Sequence, residues 1–231
     1  MKKETAQKLL KFSEKEYDTY AREFSDTRPF FWRELEFLKK YARMEHTILD
    51  IGCGNGRLLN LFENKNITYT GIDSSKELIE IAKKYRGDKG TFMHANALSL
   101  PFQDMTFDTV FSIAVLHHVP SKQFRKRFVS EAHRVLKPDG TLVLTVWNIW
   151  QWTFLKDHFI HFFKKVLGSS DLDLWDVIIL FGQKKRRRYV HAFTKRSIRK
   201  LLEKNNFSIS SIKEVKRRSG YANLVVVAKK K

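Results

Sequence analysis

Cysteine is almost missing from this sequence, proline is scarce, and no apolar run reaches the roughly 18 residues that a membrane-spanning helix needs. The single cysteine, Cys53, forms no internal disulfide and has no companions for a zinc site, so a disulfide scaffold and a zinc module are both excluded and no metal site is expected. The longest apolar candidates, 107–119 and 172–181, are broken by Asp108, His117 or Asp176. The first residues carry charge without the apolar core of a secretory signal, which sets the expectation of a cytoplasmic protein. With only four prolines, 42% hydrophobic and 13% aromatic residues, the composition is that of a folding chain rather than a disordered one. Its 231 residues suit one domain, 1–231.

Acidic residues are lacking in one place above all. From Lys184 onward there are 17 lysines and arginines against Glu203 and Glu214, so this segment carries fifteen of the nineteen net positive charges. The rest of the chain is nearly balanced. Such asymmetry fits a polyanionic partner, because Lys and Arg that displace condensed counterions supply most non-specific nucleic-acid affinity. A basic solubilising surface is the plainer reading.

What is present follows a clear rhythm. Residues 1–45 read as a helical cap, with Leu9, Leu10, Phe12, Tyr17, Tyr20, Ala21 and Phe24 at helical spacing, and with Pro29 opening a second helix that contains Trp32, Leu35, Phe37 and Leu38. From residue 46 short apolar runs alternate with helical patterns. The expected fold class is therefore α/β: a doubly wound, mainly parallel, seven-stranded Rossmann-like sheet. The aromatic-rich segment 148–185 breaks the rhythm and reads as a helical insertion or lid. A strand near 188–193, a helix capped by Thr194 and two closing strands complete the pattern.

The central signal is Ile48-Leu49-Asp50-Ile51-Gly52-Cys53-Gly54-Asn55-Gly56-Arg57, a strand running into a glycine-rich turn. Glycines permit positive φ and close ligand approach, and a helix start offers amide donors to a carboxylate. About twenty residues on, Gly71-Ile72-Asp73 ends the second strand with a carboxylate placed for ribose hydroxyls. A dinucleotide fingerprint would space its last glycine one residue further, so the G-x-G-x-G turn favours a different nucleoside. Together with segments 94–102, 107–112 and 135–141, these motifs resemble, in order and spacing, those of the class I methyltransferases that use S-adenosylmethionine (SAM), in the type 11 group. The resemblance implies SAM as cofactor, with Asp50, Gly52, Cys53, Gly54, Gly56, Asp73, Asn96, Ala97 and Ser112 as candidate binding residues. It puts the glycines against the methionine half, Asp73 on the ribose, and Asn96 with Ala97 on the adenine. The family usually has Asp where Asn96 stands; Asn keeps a carbonyl acceptor and loses a charge.

The acceptor is read from Ser112-Ile113-Ala114-Val115-Leu116-His117-His118, at the end of the fourth strand. His117 is the candidate general base and His118 the packed histidine. A narrower resemblance joins this stretch to Tyr17, Ala21, 24–28 and Trp32, and to 188–193: it is to the tRNA wobble-uridine methyltransferases that esterify 5-carboxymethyluridine. That resemblance implies a tRNA partner and a small activating subunit of the kind family members commonly need, and a partner-free enzyme is equally compatible with the sequence. An acceptor carboxylate is already an anion and needs cationic positioning rather than a base. Arg28 joins His117 as candidate catalytic residue, and Arg186, Arg187, Arg188, Tyr189 and His191 are the candidate substrate contacts, the arginines for phosphates and Tyr189 or Phe193 for base stacking. A methyltransferase of a small metabolite, lipid or quinone is the alternative, and a non-catalytic binding module the third.

Overall fold

The computed structural model describes residues 1–181, 186–218 and 220–231; the expected end of the insertion at 182–185, with Lys184, where the basic segment begins, lies outside the described residues. The chain opens with helices α1 (Lys3–Thr19) and α2 (Ala21–Asp26). A 3-10 helix at Arg33–Tyr41 then stands where a second cap helix was expected, so Trp32 lies just outside it. Strands β1 (Thr47–Ile51), β2 (Thr68–Asp73), β3 (Thr91–His94), β4 (Phe107–Ile113) and β5 (Leu136–Asn148) follow, with α3 (Lys76–Arg86) and α4 (Lys122–Val135) between them. After β5 come α5 (Trp152–Val166), β6 (Asp176–Phe181), β7 (Arg186–His191), α6 (Lys195–Glu203), β8 (Phe207–Lys216) and β9 (Ala222–Lys230).

Seven strands form one sheet in the order β3-β2-β1-β4-β5-β9-β8. The first five are parallel, and β9 runs antiparallel to both β5 and β8. The strand order reverses between β1 and β4, the place where open α/β sheets bind ligands beyond their carboxyl ends. Alternation along the strands builds a core on each face. Leu49, Ile51, Val110 and Leu144 meet Phe128 and Ala132 of α4 and Ile198 and Leu202 of α6 on one side. Ile48, Tyr69, Phe111 and Val143 meet Leu35, Leu38, Phe62 and Ile79 on the other. A two-residue period in buried strands between helical layers is what produces two such cores from one sheet.

The insertion departs from the sequence-based expectation. Only its first half is helical; its second half is β6, which pairs antiparallel with β7 in a separate hairpin. Arg186–His191 therefore belongs to that hairpin and not to the main sheet. Ile149, Phe154, Val177, Ile179, Val190 and Ala192 give it a small core of its own. Apolar alternation cannot distinguish a buried hairpin strand from a helix when the run is six residues long.

Candidate active site

The glycine turn after β1 is held by packing as much as by ligand geometry. Gly52 and Gly56 sit at φ +77° and +76°, and a Cβ would lie 2.3 Å from Val115 Cγ2 at Gly52 and 2.7 Å from the Phe92 ring at Gly56. Gly52 faces the cavity at the sheet's switch point; Gly56 does not, and its requirement for glycine is the Phe92 contact. The turn leads into a six-residue 3-10 helix, Arg57–Phe62, rather than the α-helix that the sequence led us to expect.

Asp73 ends β2 and closes the turn. Its Oδ2 accepts the Gly54 amide and its Oδ1 the Ser75 amide, each at 2.9 Å. A carboxylate has about four lone-pair directions, so each oxygen keeps one for a ribose hydroxyl. Burial raises the Asp73 carboxyl above its ordinary value despite those amides. Asp50, beneath the turn, accepts the Tyr69 hydroxyl at 2.6 Å on Oδ2, while its buried Oδ1 has no hydrogen-bond partner. Burial pushes Asp50 up to about 7, opposed by the Tyr69 bond and reinforced by the Asp73 charge. Two carboxylates under one apolar-walled cavity fit a cationic nucleoside ligand. Asn96 accepts the Leu98 amide at 2.8 Å and lines the cavity with Ala97, as does Cys53. Ser112 does not reach the cavity: it is fully buried and its hydroxyl has no partner.

The acceptor side corrects the assignment of the two histidines. His117 is wholly buried, accepts the Trp147 amide on Nδ1 at 3.4 Å and does not line the cavity, so it has no path to a substrate proton. His118 lines it, and its Nδ1 donates to the Tyr189 carbonyl at 2.9 Å, which leaves Nε2 as an acceptor. Burial and then the Arg188 charge lower His118 to about 4, so it is neutral at physiological pH. Ala114, in the same wall, adopts φ +60°, an uncommon conformation for a residue with a Cβ and one that collects at functional sites.

Four guanidiniums reach this cavity: Arg28, Arg57, Arg188 and Arg217. Arg57 and Arg217 lie 4.3 and 4.2 Å from the centre of the Trp32 ring, and Arg28 lies 4.7 Å from that of Phe24. Arg188 donates to the Tyr17 hydroxyl at 3.1 Å and stands over Tyr20 and Trp147. Burial first, then the charges of Arg28 and Arg217, lower Arg57 to about 9, and its buried Nη1 has no hydrogen-bond partner. Arg28 is lowered by burial and by Arg188. Cations that repel one another across a cavity are relieved by an anion.

Of the hairpin residues expected to contact substrate, only Arg188 enters the cavity. Arg187 is exposed beside it, and Arg186 pairs with Glu23 at 3.2 Å over the Tyr20 ring. Tyr189 and His191 are buried and free for neither stacking nor substrate contact: Arg125 donates to the Tyr189 hydroxyl at 3.1 Å, and His191 Nδ1 meets Asp176 Oδ1 at 2.7 Å. Arg57, Arg217 and Trp147 were missed as site residues. Trp147 is the penultimate residue of β5 and Arg217 follows the end of β8, two strands that run the same way, so strand direction was the available signal.

Fold and site together define a SAM-dependent methyltransferase. A family model described as a methyltransferase domain matches residues 49–144. A putative methyltransferase of Encephalitozoon cuniculi is 31% identical over 86% of this chain and 88% of its own, and the chain belongs to the same methyltransferase family. The tRNA (carboxymethyluridine(34)-5-O)-methyltransferase of Arabidopsis thaliana is 37% identical over 63% of this chain, which spans about a third of that relative's length, 35%. Among solved structures, a SAM-dependent methyltransferase of Methanosarcina mazei superposes with a TM-score of 0.72 at 28% identity, over 87% of this chain and 98% of that one.

Proposed function

We propose that the chain methylates the carboxylate oxygen of 5-carboxymethyluridine at the tRNA wobble position, with a small activating subunit as partner. The observation that carries this reading is the convergence of Arg28, Arg57, Arg188 and Arg217 on a cavity whose one histidine, His118, is a weak base. A hydroxyl or amine acceptor would have to lose a proton to a group of pKa near neutrality, and the one carboxyl of the lining raised to about 7, Asp50, lies beneath the glycine turn on the cofactor side, hydrogen-bonded to Tyr69. A carboxylate acceptor loses none and asks only for desolvation and cationic positioning.

SAM supplies, when bound, an electrophilic methyl group on a sulfonium. Asp73, itself held by the Gly54 amide, would hold its ribose side, with Asn96 and Ala97 at the adenine and Asp50 below the turn. On the other wall Arg188, fixed by Tyr17 and Tyr20, orients the acceptor anion, and the Trp147 and Tyr17 rings keep water out. The similarity to the Arabidopsis tRNA methyltransferase and the exposed Arg187 beside the cavity support RNA as the carrier of that anion.

The test is incubation of the pure protein, with and without an activating subunit, with labelled SAM and tRNA carrying 5-carboxymethyluridine. The expected product is a labelled methyl ester that mild base removes. Label confined to a small-molecule or lipid fraction would overturn the tRNA reading and favour the small-acceptor alternative.

A further inference from the structure

Helix α5 is turned the wrong way round for a helix facing water. Phe154, His158, His161 and Lys165, at spacings of four, three and four, make its inward side. There His158 and His161 donate through Nε2 to the carbonyls of Ile149 and Asp173, both at 3.1 Å. The outward side holds Phe159, Phe162, Phe163 and Val166, again at three- and four-residue spacing. Phe159 is 63% exposed, Phe163 59%, Val166 66%, and Leu167, at the helix end, 78%. Phe162, 47% exposed, completes this face. Single exposed apolar residues need no account, but a contiguous aromatic and aliphatic face does.

The chemistry around this face selects its occupant. Three lysines, Lys156, Lys164 and Lys165, stand on α5 against one acid, Asp157. The whole chain is +19, so a second copy of itself is repelled. Val166 and Leu167 offer nothing to a nucleobase, which stacks on planar groups. A convex row of phenylalanines and aliphatics flanked by lysines is the pattern of a helix lying in the plane of an anionic bilayer, apolar side chains in the acyl boundary and ammonium groups at the phosphates. At 15 residues with four charges α5 lies on a bilayer and does not cross it; among the described residues no helix is long and apolar enough to do so.

We propose that the outward face of α5, with Leu167 at its end, is a docking surface for anionic lipid membranes. The proposal is independent of which acceptor the cavity methylates. Flotation of the full chain with vesicles of phosphatidylcholine alone, and with phosphatidylglycerol added, tests it. Binding is expected only to the anionic vesicles, weakened at least about tenfold by Phe159→Glu combined with Phe163→Glu, and weakened by Lys156→Gln with Lys164→Gln. SAM affinity by calorimetry is expected to stay unchanged in both variants, which establishes that they are folded. Four outcomes would each overturn it: no flotation with anionic vesicles, flotation that survives the double Phe variant, a dimer in light scattering that the same variant dissolves, or tRNA binding that the same variant abolishes.

Discussion

At the residue scale the site turns on two carboxylates, the half-buried Asp73 and the buried Asp50, with opposite obligations. Asp73 accepts two backbone amides, which leaves a lone pair on each oxygen open to a hydroxyl donor. Asp73→Ala is expected to weaken SAM binding by more than about tenfold, the loss of two charge-assisted hydrogen bonds, measured by calorimetry. Asp50 behaves otherwise. Its folded value of about 7 lies above the ordinary 3.8, so the folded state holds the extra proton between those values. Its contribution to stability is therefore greatest below about pH 4 and is lost as pH rises through about 7. Asp50→Asn removes that cost while keeping an acceptor for Tyr69. The ligand-free variant should melt higher than the native chain at pH 8, by roughly 2–4 °C per kcal/mol recovered, and bind the cationic cofactor more weakly. An unchanged melting temperature with unchanged affinity would mean that Asp50 is not ionised beneath the cavity.

These residues differ in how far the sequence discloses them. Asp50, Gly52 and Asp73 are legible because turn chemistry, spacing and strand ends act over neighbouring residues. The two histidines are not: His117 and His118 are adjacent, and which faces the cavity depends on the Trp147 amide and the Tyr189 carbonyl, brought from 30 and 71 residues away. Arg57 is hidden in a different way, since its place in the turn says nothing of the Trp32 ring that holds it at the cavity wall.

At the scale of elements, the β6–β7 hairpin is what supports the acceptor wall. Asp176, at the start of β6, is fully buried, takes the His191 hydrogen bond at 2.7 Å and lies 3.6 Å from the Arg125 guanidinium on α4. Arg125 in turn donates to Tyr189, whose carbonyl fixes His118. The helical reading of 148–185 fails here because the residues that make this segment a strand, Asp176, His191 and Arg125, act only once the hairpin is packed on α4. Asp176→Ala leaves Arg125, among the described residues, with one more distant acidic partner, Asp173 at 3.8 Å. Removing one partner of a buried ion pair costs on the order of 3–5 kcal/mol, and the residual partner keeps the loss near the lower end, about 3 kcal/mol. Thermal unfolding should show a fall of roughly 6–12 °C. Activity should fall more than SAM affinity, because the hairpin positions the acceptor wall and not the glycine turn. A variant that loses both equally would place Asp176 in general stability alone.

Across the whole molecule, the charge visible in the sequence is distributed by the topology. β7, β8, β9 and α6 carry 11 of the 17 lysines and arginines of the basic segment, and the turn after β8 brings Arg217 to the same cavity as Arg188. Some of these cations are already engaged in the fold: Arg186 with Glu23, Arg188 with Tyr17 and Tyr20. Arg187 is exposed between them, next to the cavity mouth. The two neighbours therefore have separable jobs, although they are adjacent in sequence and identical in type. If Arg187 meets an RNA phosphate, Arg187→Ala lowers the slope of log affinity for tRNA against log salt by about 0.7–0.9, the release of one counterion, and weakens binding to every tRNA alike. Arg188→Ala, by contrast, should cut turnover of the acceptor with little change in that slope, because its guanidinium faces the cavity and is held by tyrosines. Fluorescence anisotropy from about 50 to 200 mM salt, over which phosphate contacts lose affinity steeply, measures the first and single-turnover methylation the second. Equal slopes for Arg187→Ala and the native chain would remove Arg187 from the RNA surface, and an altered slope for Arg188→Ala would move that residue out of the acceptor pocket and onto the phosphate path.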